Sequence, residues 1–325
     1  IKLKGFSPDL TSTLLEVEIP ELNLTLNNVL IKSDGPLSLH LKDRILKIDN
    51  FTLLAPHSRI KLAGQSEIKE LNNPGLDFSL TGELDLVDIN PLLSGMSAGG
   101  NTGFRANLKG TMEQPLIDGE LDLNQVFLRI QDLPLVVSGV EGRVTIDNSR
   151  LKLEKVTGEA NSGRFTASGQ ANFGPSFSLP AARLDFVLND FDLNYPPGLS
   201  SLSQASLTLN KVKTGWLLSG DLSLLNASYL EDFYPSTQGL KMALTSVSPA
   251  GSELPAFLYD LALNIDVKTV DNIIIKNNLA DLEFKANLNV KGTIPAPVLS
   301  GRAENAYTGE IILGERKYTV ERIRV

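Results

Sequence analysis

The chain has 325 residues, 42% of them hydrophobic and only 6% aromatic, with a formal net charge of −8 at pH 7. An acidic balance without a basic patch leaves a nucleic-acid backbone no electrostatic driver. The absence of cysteine excludes disulfides, thiolate metal sites and Cys nucleophiles, and the two histidines, His40 and His57, are not paired at metal-ligand spacing.

No run approaches the ~18 apolar residues of a membrane-spanning helix, and no signal-peptide pattern opens the chain. The sequence begins at Ile1 rather than Met and stops at Val325 within a β-type run. It reads as a piece of a longer protein, with any membrane anchor outside it.

The dominant local signal is strict alternation, the mark of strands with one wet face. Leu22, Leu24 and Leu26 alternate with Asn23, Thr25 and Asn27. Asp34-Gly35-Pro36 is a turn, after which Leu37, Leu39 and Leu41 alternate with Ser38, His40 and Lys42. The pattern runs on through Phe51–Leu54, Ile60, Leu62, Leu76, Phe78, Leu80, Leu84 and Leu86. Residues 87–96 break the rhythm and predict a short helical turn capped by Asp88; Ser97 to Gly103 is Gly-rich and predicts a loop.

Strands resume with Leu121 and Leu123, Val144 and Ile146, Phe165 and Ala167, then Leu184, Phe186 and Leu188. Tyr195-Pro196-Pro197-Gly198 is the strongest breaker, and a soft boundary is expected near 195–200 within a single body covering 1–325. Further strands follow around Leu207, Leu218 and Leu222, a short helix is expected at 229–234, and 246–255 reads as a loop. Leu261, Leu263 and Ile265 form a clean strand, as do Leu282, Phe284, Ala286, Leu288 and Val290 against Glu283, Lys285, Asn287 and Asn289.

One unit repeats. Lys109-Gly110-Thr111 is followed by Pro115 and Gly119, and Lys291-Gly292-Thr293 by Pro297 and Gly301, at identical spacing. Neither copy has the preceding glycine spacing of a phosphate-binding loop, so both read as strand ends.

Roughly twenty short strands joined by short turns predict an all-β fold, a long curved antiparallel meander with at most one or two short helices. Strands twist, so a long meander curls. Curling the leucine-rich side inward gives an apolar inner groove on the order of 100 Å long at about 4.8 Å per strand. The residues expected to line it are Leu121, Leu123, Val144, Ile146, Phe165, Leu184, Phe186, Leu188, Leu261, Leu263, Ile265, Leu282, Phe284 and Leu288. Such a lining suits acyl chains: at roughly 0.8 kcal/mol per buried methylene, a chain of about sixteen carbons gains on the order of 10 kcal/mol.

The repeated Lys-Gly-Thr…Pro-x-x-x-Gly unit, with the closing Gly309-Glu310-Ile311-Ile312-Leu313-Gly314 and Lys317-Tyr318-Thr319-Val320, resembles the C-terminal region of the TamB family of AsmA-like envelope proteins. So do 261–277, with Asn272-Ile273-Ile274-Ile275-Lys276-Asn277, and the block 119–169. The resemblance implies a β-taco groove that carries phospholipid between inner and outer membranes, in the periplasmic part of a protein anchored in the inner membrane. It also implies a partner, an outer-membrane barrel protein of the TamA type, and a role in outer-membrane protein assembly.

Other readings are a chaperone-like sheet edge that captures an incoming strand, and a structural or adhesive β array. Enzymatic activity is not expected, nor is a cofactor or metal. Glu231 and Asp232 are sequence neighbours whose side chains diverge on either a helix or a strand, and no Gly-x-Ser-x-Gly accompanies His40 or His57.

Overall fold

The computed structural model describes the chain apart from residues 1, 5–13, 70–72, 132, 134, 195–197, 213–214, 233–255, 314–315 and 322–325. Strands dominate it. β1 (Lys2–Lys4), β2 (Leu14–Ile19), β3 (Asn23–Leu26), β4 (Val29–Ser33) and β5 (Leu37–Lys42) are short. β6 (Ile45–Leu54), β7 (Arg59–Glu67) and β8 (Gly75–Asp85) lead into a 3-10 turn, Leu86–Leu92. β9 (Met96–Thr111), β10 (Pro115–Ile130), β11 (Val136–Asp147), β12 (Arg150–Ala160) and β13 (Gly163–Asn172) follow, then a second 3-10 turn at Pro175–Phe177. β14 (Ala181–Leu193), β15 (Leu199–Val212) and β16 (Gly215–Tyr229) precede a one-turn helix, Ala256–Tyr259. β17 (Leu261–Thr269), β18 (Ile273–Lys276), β19 (Ala280–Thr293), β20 (Pro297–Asn305), β21 (Gly309–Leu313) and β22 (Arg316–Val320) complete the order.

All 22 strands belong to one sheet, so the fold is all-β as the alternation predicts. The chain divides into two compact units. One comprises Ile1–Leu128, Gly139–Val156 and Ser168–Ala182; the other comprises Arg129–Ser138, Thr157–Ala167 and Arg183–Val325.

In the first unit β2 pairs with β5, β5 with β6, and β6 through β9 with one another in turn, all antiparallel. In the second, β14, β15 and β16 form an antiparallel meander. There the expected pattern changes: β16 pairs in parallel with both β17 and β18, so the sheet is mixed. A parallel neighbour needs a crossover of a dozen or more residues rather than a tight turn, and the stretch between Tyr229 and Leu261 supplies it. β17 and β18 act as one interrupted strand, since both also pair with β19, and Val270 N donates to Leu224 O across the break (2.8 Å).

The repeated sequence unit is a repeated turn. Gly110 ends β9 with φ +88° and Gly292 ends β19 with φ +87°. Thr111 N then donates to Gln114 O (3.2 Å), and Thr293 N to Ala296 O (3.3 Å), before the chain returns at Pro115 and Pro297. A left-handed residue without Cβ is what such a reversal requires. In both copies an added Cβ would collide with that same turn carbonyl, Gln114 O or Ala296 O.

Four other expectations meet the structure here. The Gly-rich 97–103 is strand, not loop: it forms the first half of β9, with Asn101, Thr102 and Gly103 opposite Asp85, Leu84 and Glu83. Its glycines leave room for neighbours, since a Cβ on Gly99 would overlap the Phe127 ring. The helix expected at 229–234 is replaced, where described, by the end of β16 at Tyr229 and irregular chain through Asp232; 233–234 lie outside the described residues. So do the loop expected at 246–255 and residues 195–197 of the expected boundary.

The 3-10 turn Leu86–Leu92 forms where a short helical turn was expected, but its cap is Asp85, which accepts from Val87 N (3.0 Å). Asp88 lies inside the turn with its side chain only 5% exposed. It accepts from Ser58 Oγ (2.6 Å) and His57 N (2.9 Å) and meets His57 Nδ1 at 3.0 Å. Asn90 Oδ1 accepts from Ala98 N (2.7 Å), and Asn27 Nδ2 donates to Pro91 O (3.3 Å). The turn is thus a strap, tied to the β6–β7 turn, to β9 and to the β3–β4 turn. Desolvation works against the Asp88 charge, but the hydrogen bonds from Ser58 and His57 outweigh it and hold the carboxyl below its ordinary range.

Two outcomes follow. Gly110→Val is expected to cost about 1–3 kcal/mol in urea unfolding followed by far-UV circular dichroism, through the strained φ. Gly103→Ala, where a Cβ meets nothing within 4 Å, stays within about 1 kcal/mol of the parent. For the strap, a carboxyl depressed in the folded state contributes fully above the unfolded value of about 3.9 and is lost as pH falls through its lower folded value. Hydrogen exchange of the Leu86–Leu92 amides, corrected for intrinsic rates, is therefore constant from pH 7 to 5 and accelerates only below about pH 4; in Asp88→Asn it is already fast at pH 7.

Candidate functional site: an apolar face left uncovered

Paired residues in a sheet share a face, so register gives the composition of each side. In the second unit one row runs Leu188, Ala205, Leu222, Val267, Leu288, Gly301. The next runs Phe186, Leu207, Gly220, Ile265, Val290, Leu299, and a third Leu184, Leu209, Leu218, Leu263, Gly292, Pro297. The intervening rows face the other way and are polar: Asp185, Thr208, Ser219, Asn264, Lys291, and Val187, Ser206, Asp221, Asp266, Asn289. On that side Arg183 grips Asp185 through Nε (3.0 Å) and Nη2 (2.8 Å), and Thr208 Oγ1 adds a third donor (2.7 Å). These hydrogen bonds, Arg183 first, keep the Asp185 carboxyl below its usual range.

The first unit repeats the division. Val17, Leu39, Ile48, Gly64, Phe78 and Leu108 form one row across six strands, and Leu62, Leu80 and Ala106 another. Its wet side carries ion pairs: Arg59 with Asp34 (2.9 Å), Arg105 with Glu120 (3.4 Å) and Arg143 with Asp122 (2.5 Å). Exposed pairs of this kind add little to stability because water and salt screen them. They keep the face wet rather than hold the sheet together.

Of the residues expected to line the groove, Val144, Phe165, Leu188 and Leu261 are buried. Leu121, Leu123, Ile146, Leu184, Phe186, Leu263, Ile265, Leu282, Phe284 and Leu288 are half-buried. Register brings Leu184, Phe186, Leu188, Leu263, Ile265 and Leu288 onto the three rows above. Leu261 stands opposite Trp216, and Leu282 and Phe284 stand opposite Ile275 and Ile273. The selection missed residues in the same rows, namely Leu207, Leu209, Leu218, Leu222, Val267 and Val290, although their alternation was equally plain.

These side chains are close to one another yet not sealed from water. One buried cluster in the second unit is Leu224, Ala227, Ile273 and Ala286, flanked by Leu222, Val267, Phe284 and Leu288. Among the described residues the largest side chain shut off completely is Ser203. Several Leu, Ile, Val and Phe are buried, Phe191 and Val156 at 4% exposure, while most members of the three rows keep part of their surface.

Other chemistry is sparse. Ser58 donates to Asp88 rather than to His57, so the carboxylate sits at the centre and no Ser–His relay forms. Glu231 and Asp232 are exposed, and Asp232 accepts from Asn278 N (3.0 Å). Trp216 is half-buried with Lys211 Nζ 5.2 Å from its ring centroid, a rim contact. Among the described residues no group of His, Asp and Glu is placed to hold a metal ion, and no helix is long and apolar enough to cross a membrane.

Comparison with known proteins agrees with the repeat and the strand pattern. The translocation and assembly module subunit TamB of Haemophilus influenzae is 22% identical over 319 residues, covering 89% of this chain. The chain spans only 23% of that relative's length. No solved structure matches. The family model for the TamB C-terminal domain matches residues 152–320, which take in the second Lys-Gly-Thr turn, the parallel β16–β17 pairing and most of the second unit's apolar rows. On that match, over more than half of its length, the chain belongs to the TamB family.

Proposed function

We propose that the uncovered apolar face is a furrow for phospholipid acyl chains, within a periplasmic part of a translocation and assembly module. The observation that carries this reading is the incomplete burial: rows of Leu, Ile, Val and Phe lie side by side, and most of their members are only half-buried. A guest alkyl chain would remove the remaining water from those rows at roughly 0.8 kcal/mol per methylene, while a head group stays at the wet edges. The three rows of the second unit carry no charged side chain, which suits passage of many similar chains better than capture of one. Family membership supports the setting this reading assigns, a bridge between inner and outer membrane working with an outer-membrane barrel protein of the TamA type. The role is transport and assembly rather than catalysis.

A second reading rests on a different feature. Among the described residues Val298 and Leu299, near the start of β20, pair only with Lys291 and Val290 of β19, and they are 60% and 64% exposed. A strand edge that presents exposed apolar side chains is a template for an added strand, and an incoming outer-membrane protein strand is the occupant this reading assigns.

Each reading has its own test. A photo-crosslinker at Leu263 in folded protein is expected to label phospholipid. Phe284→Arg or Leu288→Asp is expected to cut that labelling at least about tenfold, the factor that 1.4 kcal/mol supplies, while the wet-side Lys285→Ala leaves it intact. Undiminished labelling in a groove-blocked variant with normal circular dichroism removes the furrow. For the edge, Leu299→Pro is expected to abolish crosslinking of β20 to an outer-membrane protein strand, because proline cannot complete a ladder, while Leu299→Ala, which keeps the backbone N–H, retains it.

A further inference from the structure

Under the strap of the first unit lies a cavity of about 140 Å³. Its floor is the apolar side of the sheet, with Leu53, Ile60 and Leu84, and its roof includes Ile89 of the strap. At the mouth stand Leu26 and Leu92, 50% and 48% exposed. Two polar side chains reach it, Ser58 and Asp88, and they are occupied with each other and with His57. No unmet donor or acceptor there asks for water or a polar ligand, and an apolar cavity of this size, about 150 Å³, stays dry and takes a six-carbon ring.

Asp88 is the one charged residue among the buried polar side chains described. Withdrawing a carboxylate from water is costly unless it is fully hydrogen-bonded. Three contacts to the β6–β7 turn meet that cost, and their mechanical result is a strap held across the apolar face. We infer that the strap and the sheet beneath it form a terminal pocket for the methyl end of a single alkyl chain, about six carbons deep. The mouth leucines continue its apolar surface outward, as a longer chain entering from the face requires. A peptide is the poorer occupant: the polar groups at the strap, Asp88, Asn90 and Asn27, are spent on tying it down and leave an entering backbone without partners. The size and polarity of the pocket stand alone; the source of the chain rests on the acyl-furrow reading.

Two measurements on the intact chain test this. Millimolar benzene is expected to raise the melting temperature of the parent protein by mass action. Ile60→Trp, which fills the cavity, abolishes the shift, and the wet-side Lys61→Ala leaves it in place. Absence of any shift in the parent protein overturns the pocket without reference to a variant. Phosphatidylethanolamine carrying a diazirine at the last carbons of one acyl chain is expected to label the strap and Leu26. The same lipid with its diazirine next to the glycerol is not, and Ile60→Trp reduces strap labelling at least tenfold. Competition by unlabelled phosphatidylethanolamine but not by palmitate assigns the chain to a phospholipid; the converse assigns it to a free fatty acid, and either supports the pocket. Labelling of the Ile265 and Leu288 rows without the strap sinks this inference and spares the furrow. Labelling of neither sinks both. Displacement of benzene by a leucine-rich peptide, with no lipid labelling at the strap, gives the pocket to a peptide and overturns the assignment.

Discussion

A strand shows alternate side chains to opposite sides, and in this protein that two-residue period separates water from hydrocarbon along almost the whole chain. Leu184, Phe186 and Leu188 look one way while Arg183, Asp185 and Val187 look the other. Once neighbouring strands adopt a common register, the division spreads across the sheet as continuous rows. A slip of one residue in any strand would place a leucine among the aspartates and a charge among the leucines. Register is thus fixed by solvent as much as by backbone hydrogen bonding.

Much of this was legible from the sequence. Alternation is a local signal, so the fold class, the wet and dry sides and the positions of most strands could be read from it. The two Lys-Gly-Thr copies also announced themselves, because a positive φ at one residue narrows the choice there to glycine. Less legible were features set by distant residues. Nothing around Gly99 states that Phe127 fills the space above it, so a glycine cluster that resembles a loop is a strand. Nothing within β16 or β17 reveals that they run in the same direction; that follows from the long stretch between them. Asp88 reads as a cap from its neighbours alone, yet its partners are His57 and Ser58, some thirty positions earlier. The missed members of the apolar rows, such as Leu222 and Val267, become members only when pairing sets strands side by side.

The two sides contribute differently to stability. The wet side is laced with pairs such as Arg143–Asp122 and Lys317–Glu310, all well exposed, and each adds little. Cohesion comes from the backbone ladders and from aliphatic contact within the dry rows, where small residues such as Ala160 and Ala227 occupy the deepest positions and larger ones keep part of their surface. That retained surface is a standing cost. It is the same quantity that would become favourable when a guest covers it.

The paired glycine turns at Thr111 and Thr293 carry a consequence for lineage. A reversal built from one short cassette can be duplicated or deleted together with its flanking strand pair, and the sequence on either side keeps its odd–even sense. Chains with such cassettes grow or shrink by whole hairpins, and their descendants diverge in length sooner than in cross-section.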